Sequence, residues 1–401
     1  MIDLKAARAN PDAVRAAVAR KGAGEAFDAA LAADARWREL VPVVDDLRAR
    51  QKVDGRPTPE QIEDLKRIKD ELRARESELA EAEALRDRLL LGIPNLPHES
   101  VPDGASDEDA TEVRRVGEPP RLEAPREHTE IGRFDMDRAA RVAGSRFGYW
   151  IGDTALLALA LYRLALDRLT AKGFVPVLPP VLLREEALLG TGQLPSLEDN
   201  IYELPADGLY LAGTAEIPLG GLHLGEILEA EELPLRYVGF SPSFRREAGA
   251  AGRDTRGMFR VHQFNKVEQF SFTRPEDSWD ELERLLANTE EIVQELGLPY
   301  RVVVLPAGDM GTAMAKTYDV EMWFPSQDRY RETASISNAT DFQARRLHTR
   351  YRGDRGLEPV HTLNGTAVVD RMALAILENF QGEVPDALRP YGAPERVRPD
   401  S

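Results

Sequence analysis

An α+β fold, with an antiparallel β-sheet and flanking helices preceded by an N-terminal antiparallel two-helix arm, follows from three features of the sequence. Residues 1–98 are dominated by Ala, Leu and charged side chains and hold only two aromatics, Phe27 and Trp37. From about residue 116 onward Gly, Pro and aromatics return, and short apolar runs alternate with helical stretches. Between the two, residues 99–112 carry six acids and no base, with Pro102 and Gly104, the signature of a solvated linker. The 401 residues exceed the usual size of one domain, so we divide the chain into a helical domain, 1–112, and a larger domain, 113–401.

In the first domain Trp37, Leu40, Val44 and Leu47 recur at spacings of three and four, one apolar stripe on a helix. The run from Val53 to Pro59, with Asp-Gly and two prolines, ends that helix. Thr58 and Pro59 then supply an N-cap and a first-turn proline. Leu65, Ile68, Leu72, Leu79, Ala82 and Leu89 continue at near-heptad spacing to Leu91. A helix of this kind is about 45–50 Å long. The hairpin, about residues 28–91, is either a spacer or dimerisation arm or a functional limb. Its 18 basic and 19 acidic side chains, counted over 1–98, leave it nearly neutral.

In the second domain we expect helices over residues 155–171, 277–297 and 370–381. Strands are expected over 175–178, 235–240, 262–272, 301–305 and 318–324.

Composition narrows the chemistry. The chain has 52 Lys and Arg against 69 Asp and Glu, a net charge of -17, which excludes a generally basic nucleic-acid binder but not local basic patches. With no cysteine, disulfides, thiolate zinc sites and cysteine nucleophiles are excluded. The most apolar stretch, 155–169, is interrupted by Arg163, Asp167 and Arg168 and is too short for a membrane span. The N-terminus lacks a signal-peptide pattern, so the expected location is the cytoplasm. No P-loop and no dinucleotide-binding glycine motif is present.

Four segments carry candidate chemistry. Phe244-Arg245-Arg246-Glu247 and Arg256-Gly257-Met258-Phe259-Arg260 flank a loop holding Gly249 and Gly252 and lead into 261–270. Arg245, Arg246, Arg253, Arg256 and Arg260 crowd this hairpin, as a phosphate site requires, or form a solvated Arg-rich loop. In Gly213-Thr214-Ala215-Glu216 a hydroxyl and a carboxylate two apart share a face if the chain is extended. They suit an ammonium-bearing substrate or plain surface polarity. Glu332 and Ser335, within 330–338, offer hard oxygens for Mg²⁺, or belong to a polar strand and turn. Just after this third segment, residues 345–355 hold five Arg and one Asp, a nucleic-acid contact or a solvated basic surface. Finally, Asn364-Gly365-Thr366 runs through Asp370-Arg371 into an amphipathic helix.

Taken in order, these segments resemble the class II aminoacyl-tRNA synthetases and, within them, the seryl-tRNA synthetase family. The opening Met1-Ile2-Asp3-Leu4-Lys5, the hairpin with Ile93-Pro94-Asn95-Leu96-Pro97 after it, and Gly190-Thr191-Gly192-Gln193-Leu194-Pro195 resemble features of that family. Residues 173–180 are similar to its motif 1, 244–270 to motif 2 and 364–381 to motif 3. The resemblance implies a class II antiparallel catalytic sheet and a tRNA-binding arm. It also implies ATP as substrate, Mg²⁺, L-serine and tRNA(Ser) as partners, with tRNA(Sec) a further candidate, and a homodimer formed through motif 1. It implies that Arg245 binds the α-phosphate, Arg260 the outer phosphates, and Phe264 and Arg371 the adenine; these three arginines would be catalytic. Arg246, Glu247, Val261, Glu332, Thr333, Ala334 and Ser335 would complete the ATP site, with Glu332 and Ser335 holding the metal. Thr214, Ala215, Glu216, Arg245, Glu268, Asn364 and Thr366 would surround serine. The alternative reading is a paralogue that forms seryl-adenylate for another acceptor or confers inhibitor resistance.

Overall fold

The computed structural model describes residues 1–52, 58–248 and 257–400. The expected hairpin turn at 53–57 and the loop residues Gly249, Gly252, Arg253 and Arg256 lie outside them. The chain forms two compact units, Met1–Leu96 and Pro97–Ser401.

The first unit contains α1 (Leu4–Ala9), α2 (Pro11–Ala19), α3 (Gly24–Arg50) and α4 (Pro59–Leu91). Thr58 caps α4 as its sequence requires. Its Oγ1 accepts from the Gln61 N–H at 3.3 Å, while Gln61 Oε1 accepts from the Thr58 N–H at 2.8 Å. The hairpin starts at Gly24, four residues earlier than the expected start at about 28. Two separate apolar clusters hold it. One gathers Ile2, Val14, Val18, Phe27, Leu90 and Ile93; the other seals the distal part with Val44, Leu47, Ile68 and Leu72. Buried Asp34 is matched by Arg8 at 2.9 Å and Arg38 at 3.0 Å.

The second unit is built on an eight-stranded sheet. Its strands are β1 (Thr111–Val116), β2 (Val175–Val177), β3 (Leu235–Phe244), β4 (Gln263–Thr273), β5 (Tyr300–Val304), β6 (Lys316–Phe324), β7 (Arg329–Thr340) and β8 (His361–Val369). Their order is β1-β5-β6-β7-β8-β4-β3-β2, antiparallel throughout except for β2 beside β3 at one edge. Helices α5 (Asp153–Ala171), α6 (Ser278–Glu295) and α7 (Asp370–Phe380) contribute to the main apolar core, with Val267, Val302, Val320, Ala334 and Val368 from the sheet.

The acidic stretch is not wholly a linker. Thr111 and Glu112 begin β1, paired with Val304 and Val303, and Glu112 meets Arg115 and Arg301. Those cations explain why so acidic a segment joins a sheet edge. The long strand β7 is not among the expected strands, a polar strand and turn being one of the two readings of 330–338. Its apolar partners, Ala334 and Ile336, are too few to mark a strand by alternation.

Candidate active site

One cavity of about 420 Å³ opens on the face of the sheet opposite the main core. The period of two decides what lines it. In β4 the side chains of Phe264, Lys266 and Glu268 reach the cavity, whereas Val267 points to the core and Gln269 bonds α6 through Leu285 O at 3.1 Å. In β8 Asn364 and Thr366 line the same wall. In β7 Thr333, Ser335 and Ser337 do so by alternation, and Glu332 joins them because Thr333 is an extra residue in the β6–β7 ladder. Arg245, Glu247, Arg260 and Val261, between β3 and β4, and Arg371 at the start of α7 complete it.

The cavity has two chemically distinct ends. At one, Glu268 is fully buried and Glu216 nearly so. Thr214 Oγ1 donates to Glu268 at 3.0 Å and accepts from Lys266 Nζ at 2.7 Å, and Lys266 also pairs with Glu268. Glu216 accepts from Gln343 Nε2 at 2.7 Å and Asn364 Nδ2 at 3.2 Å. Burial, and then the Glu268 charge, push the Glu216 carboxyl up to about 7. Two carboxylates facing one lysine leave this end able to take a further cation.

At the other end cations prevail. Arg371 donates to Glu332 Oε2 at 2.5 Å and to Phe259 O at 3.1 Å. It sits in the first turn of α7, where the helix dipole disfavours a cation by about 0.3–1 kcal/mol. Arg260 pairs with Glu247, whose φ of 51° places it in the left-handed region. The Arg245 guanidinium lies 5.1 Å from the Phe264 ring centroid. Although burial opposes ionisation of Glu332, Arg371 and Arg245 hold its carboxyl below the usual range. Asp370 is anchored by Tyr162 and by the Asn265 N–H at 3.0 Å, and burial pushes it up to about 6.

Glu332 and Ser335 present hard oxygens on the wall they share. Asp319, opposite Ser335 in the ladder, is buried with Oδ1 unpartnered. Burial and then the neighbouring Glu332 charge raise its carboxyl well above the usual range. This oxygen-rich corner fits a divalent cation that keeps water or phosphate ligands.

Three expected positions do not reach the cavity wall. Ala215 is fully buried against Leu219, Leu228 and Phe270, and Ala334 belongs to the main core. Arg246 is exposed, 5.3 Å from the Tyr202 ring centroid. The extended geometry assumed for 213–216 is also corrected. Ala215 is in the α region and Glu216 opens a short helix, Glu216–Gly220, so Thr214 and Glu216 meet the cavity through a turn. The arginines of 345–355 are largely matched at the surface. Arg345 pairs with Asp341, Arg352 with Glu229 and Arg355 with Glu358. Lys266 was missed although it falls on the Phe264–Glu268 alternation. Gln343 was missed because nothing in the sequence near 343 marks it.

Comparison with known proteins agrees with this geometry. Residues 202–380 match the tRNA synthetase class II core domain (G, H, P, S and T), and residues 1–97 match the seryl-tRNA synthetase N-terminal domain. The chain is 46% identical over 418 residues to the serine–tRNA ligase of Mycobacterium tuberculosis, covering 100% of both chains. It is 44% identical over 414 residues to that of Pelotomaculum thermopropionicum, covering 98% of both. It superposes on seryl-tRNA synthetase from Pyrococcus horikoshii complexed with ATP with a TM-score of 0.93, at 39% identity and full coverage of both chains. A Giardia lamblia prolyl-tRNA synthetase shares the fold, with a TM-score of 0.57 at 16% identity over 66% of this chain and 54% of that one.

Proposed function

The chain belongs to the class II aminoacyl-tRNA synthetases, in the seryl-tRNA synthetase family, and we propose that it is a serine–tRNA ligase. It activates L-serine with ATP and passes the seryl group to the 3′ end of tRNA(Ser) in the cytoplasm. The observation that carries this reading is the convergence of three arginines, 245, 260 and 371, and a buried carboxylate–hydroxyl pocket on one cavity.

In the first step a serine carboxylate oxygen attacks the α-phosphorus of ATP. The bond to the bridging oxygen breaks, and pyrophosphate leaves with that oxygen's electron pair. Arg245 neutralises charge at the α-phosphate, Arg260 steers the outer phosphates, and Phe264 and Arg371 bracket the adenine. Glu247 and Val261 finish the nucleotide wall, with the Thr333 side chain and the backbone near Ala334. Glu332 and Ser335 would hold Mg²⁺, which supplies charge neutralisation along the phosphates. In the second step a terminal ribose hydroxyl of tRNA attacks the seryl carbonyl, and AMP leaves. These tasks are positioning and charge stabilisation, and no side-chain nucleophile is needed.

Serine enters the carboxylate end. Its ammonium suits Thr214, Glu216 and Glu268, and its hydroxyl suits Glu268 and Thr366, with Asn364 and Lys266 keeping those groups aligned. A site built to bond a hydroxyl leaves its polar groups unpaired when alanine binds, which is why it rejects alanine.

A homodimer is part of the proposal. Leu156 and Leu159 on α5, with Val175 and Leu178 at the β2 edge, are exposed, Leu178 at 82%. Apolar groups together at an open sheet edge favour coverage by a second subunit. The arm is proposed to bind tRNA. A charging assay with serine, threonine and alanine, run beside ATP–pyrophosphate exchange, tests the whole reading. Serine alone should support both activities. Absence of serine-dependent exchange overturns the assignment, and exchange without charging moves the acceptor away from tRNA, toward the paralogue reading.

A further inference from the structure

The final limb of the loop between β3 and β4, residues 257–260, carries Phe259 and Arg260 back to the cavity. It is tied to α7 at two points. One is the Arg371 contact with Phe259 O. The other is a buried relay that runs from Met258, on the cavity wall, to His128 and Glu378 behind it. The Met258 N–H donates to His128 Nε2 at 3.1 Å, and His128 Nδ1 meets Glu378 Oε1 at 2.7 Å. An N–H group only donates, so Nε2 is the acceptor and the ring proton resides on Nδ1, pointing at Glu378. Glu378 is itself immobilised. It also accepts from the His128 N–H at 3.3 Å, and from the Ser326 N–H at 3.2 Å and hydroxyl at 2.6 Å. Both His128 and Glu378 are at most 1% exposed. Glycine is required beside them, because Gly257 has φ +68° and a Cβ there would lie 2.7 Å from His128 Nε2.

We propose that His128, held by Glu378, is a positioning residue for the nucleotide clamp. Resting on the ATP role assigned above to Arg260 and Arg371, it fixes the limb that aims Arg260 and holds Phe259 under Arg371. Arg371 and Glu378 lie seven residues apart, two turns of one helix, so α7 grips the limb at both its start and its end. The relay bears on nucleotide geometry and leaves the carboxylate end of the cavity to other elements.

The two ring nitrogens are separable by substitution. His128→Gln places an amide oxygen near the Nε2 position and keeps an acceptor for the Met258 N–H. His128→Asn places an amide near Nδ1, keeps the bond to Glu378 and leaves Met258 without a partner. We expect His128→Asn to raise KM for ATP about tenfold in pyrophosphate exchange, the scale of one lost hydrogen bond. KM for serine should stay within twofold, and His128→Gln should stay near the parent. ATP affinity measured by calorimetry on the same full-length variants should follow the same order. Thermal unfolding of each unliganded variant reports any global damage. Equal effects of the two substitutions, no effect of either, or parallel rises in both KM values overturn the proposal. If the parent shows no serine-dependent exchange but binds ATP, the ligase reading fails while calorimetry still decides the relay.

Discussion

Glu216 gives the most quantitative expectation. Its carboxyl rises from 4.5 to about 7 in the folded protein, chiefly through burial. That displacement corresponds to about 3 kcal/mol between the two protonation states. An acid raised in this way favours the unliganded fold while protonated. Its contribution is fully present below pH 4.5 and is lost as pH climbs through about 7. A serine ammonium beside Glu216 reverses the preference and expels the proton. Serine should therefore bind more weakly as pH falls below about 7, by roughly 25-fold between pH 7.5 and 5.5. Calorimetry at several pH values, in buffers of different ionisation enthalpy, measures both the affinity and the proton released. Glu216→Gln should bind serine weakly, since Gln343 and Asn364 both donate to this position, but with most of the slope gone. Affinity that stays flat from pH 5.5 to 7.5, or a slope that survives in Glu216→Gln, refutes the assignment of this titration to Glu216.

Three further expectations concern separate parts of the molecule. Thr366→Val removes one hydroxyl from the carboxylate end with little change in volume, and it should lower discrimination between serine and alanine in pyrophosphate exchange by at least about tenfold. Replacing residues 41–77 by a short turn removes the distal apolar cluster and spares Phe27, Leu90 and Ile93. Exchange should persist within about threefold while tRNA charging falls by about 100-fold or more, and equal loss of both would count against a dedicated tRNA arm. Leu159→Asp with Leu178→Asp puts two charges on the exposed apolar edge, so light scattering should report a shift from dimer to monomer; a parent that is already a 44.6 kDa species contradicts the dimer.

The sequence was most informative where side-chain chemistry and period coincide. Thr58 and Pro59 name the start of α4, and Phe264 to Glu268 alternate as a strand must. It was least informative where a group acts through a distant partner. Gln343 reaches Glu216, and His128 reaches Met258 and Glu378, across separations of more than a hundred residues. Asp319 falls in the expected strand 318–324 without any mark of its own; only pairing with β7 sets it opposite Ser335. Ala215 and Ala334 illustrate the converse. The family resemblance placed them in the site, but alternation and the turn before Glu216 bury their methyl groups elsewhere. In 345–355 the acids that match the arginines lie just outside the stretch, at Asp341 and Glu358, or far from it, at Glu229, so the charge counted within the stretch overstated the available positive field.

The extra residue at Thr333 has a consequence for how this wall tolerates change. Pleating assigns odd and even positions to opposite sides, and one inserted residue resets that parity. Deleting Thr333 would restore a regular ladder and leave Glu332 opposite Glu321, on the face of Ser335, so the oxygen-rich corner would survive with only the Thr333 side chain lost from the wall. Length in β7 is therefore tolerant at 333 alone: pairing with Asp319 and Glu321 holds Ser335 and Glu332 on one face, and a residue lost between Glu332 and Ser335 other than at the bulge's expense would break that match.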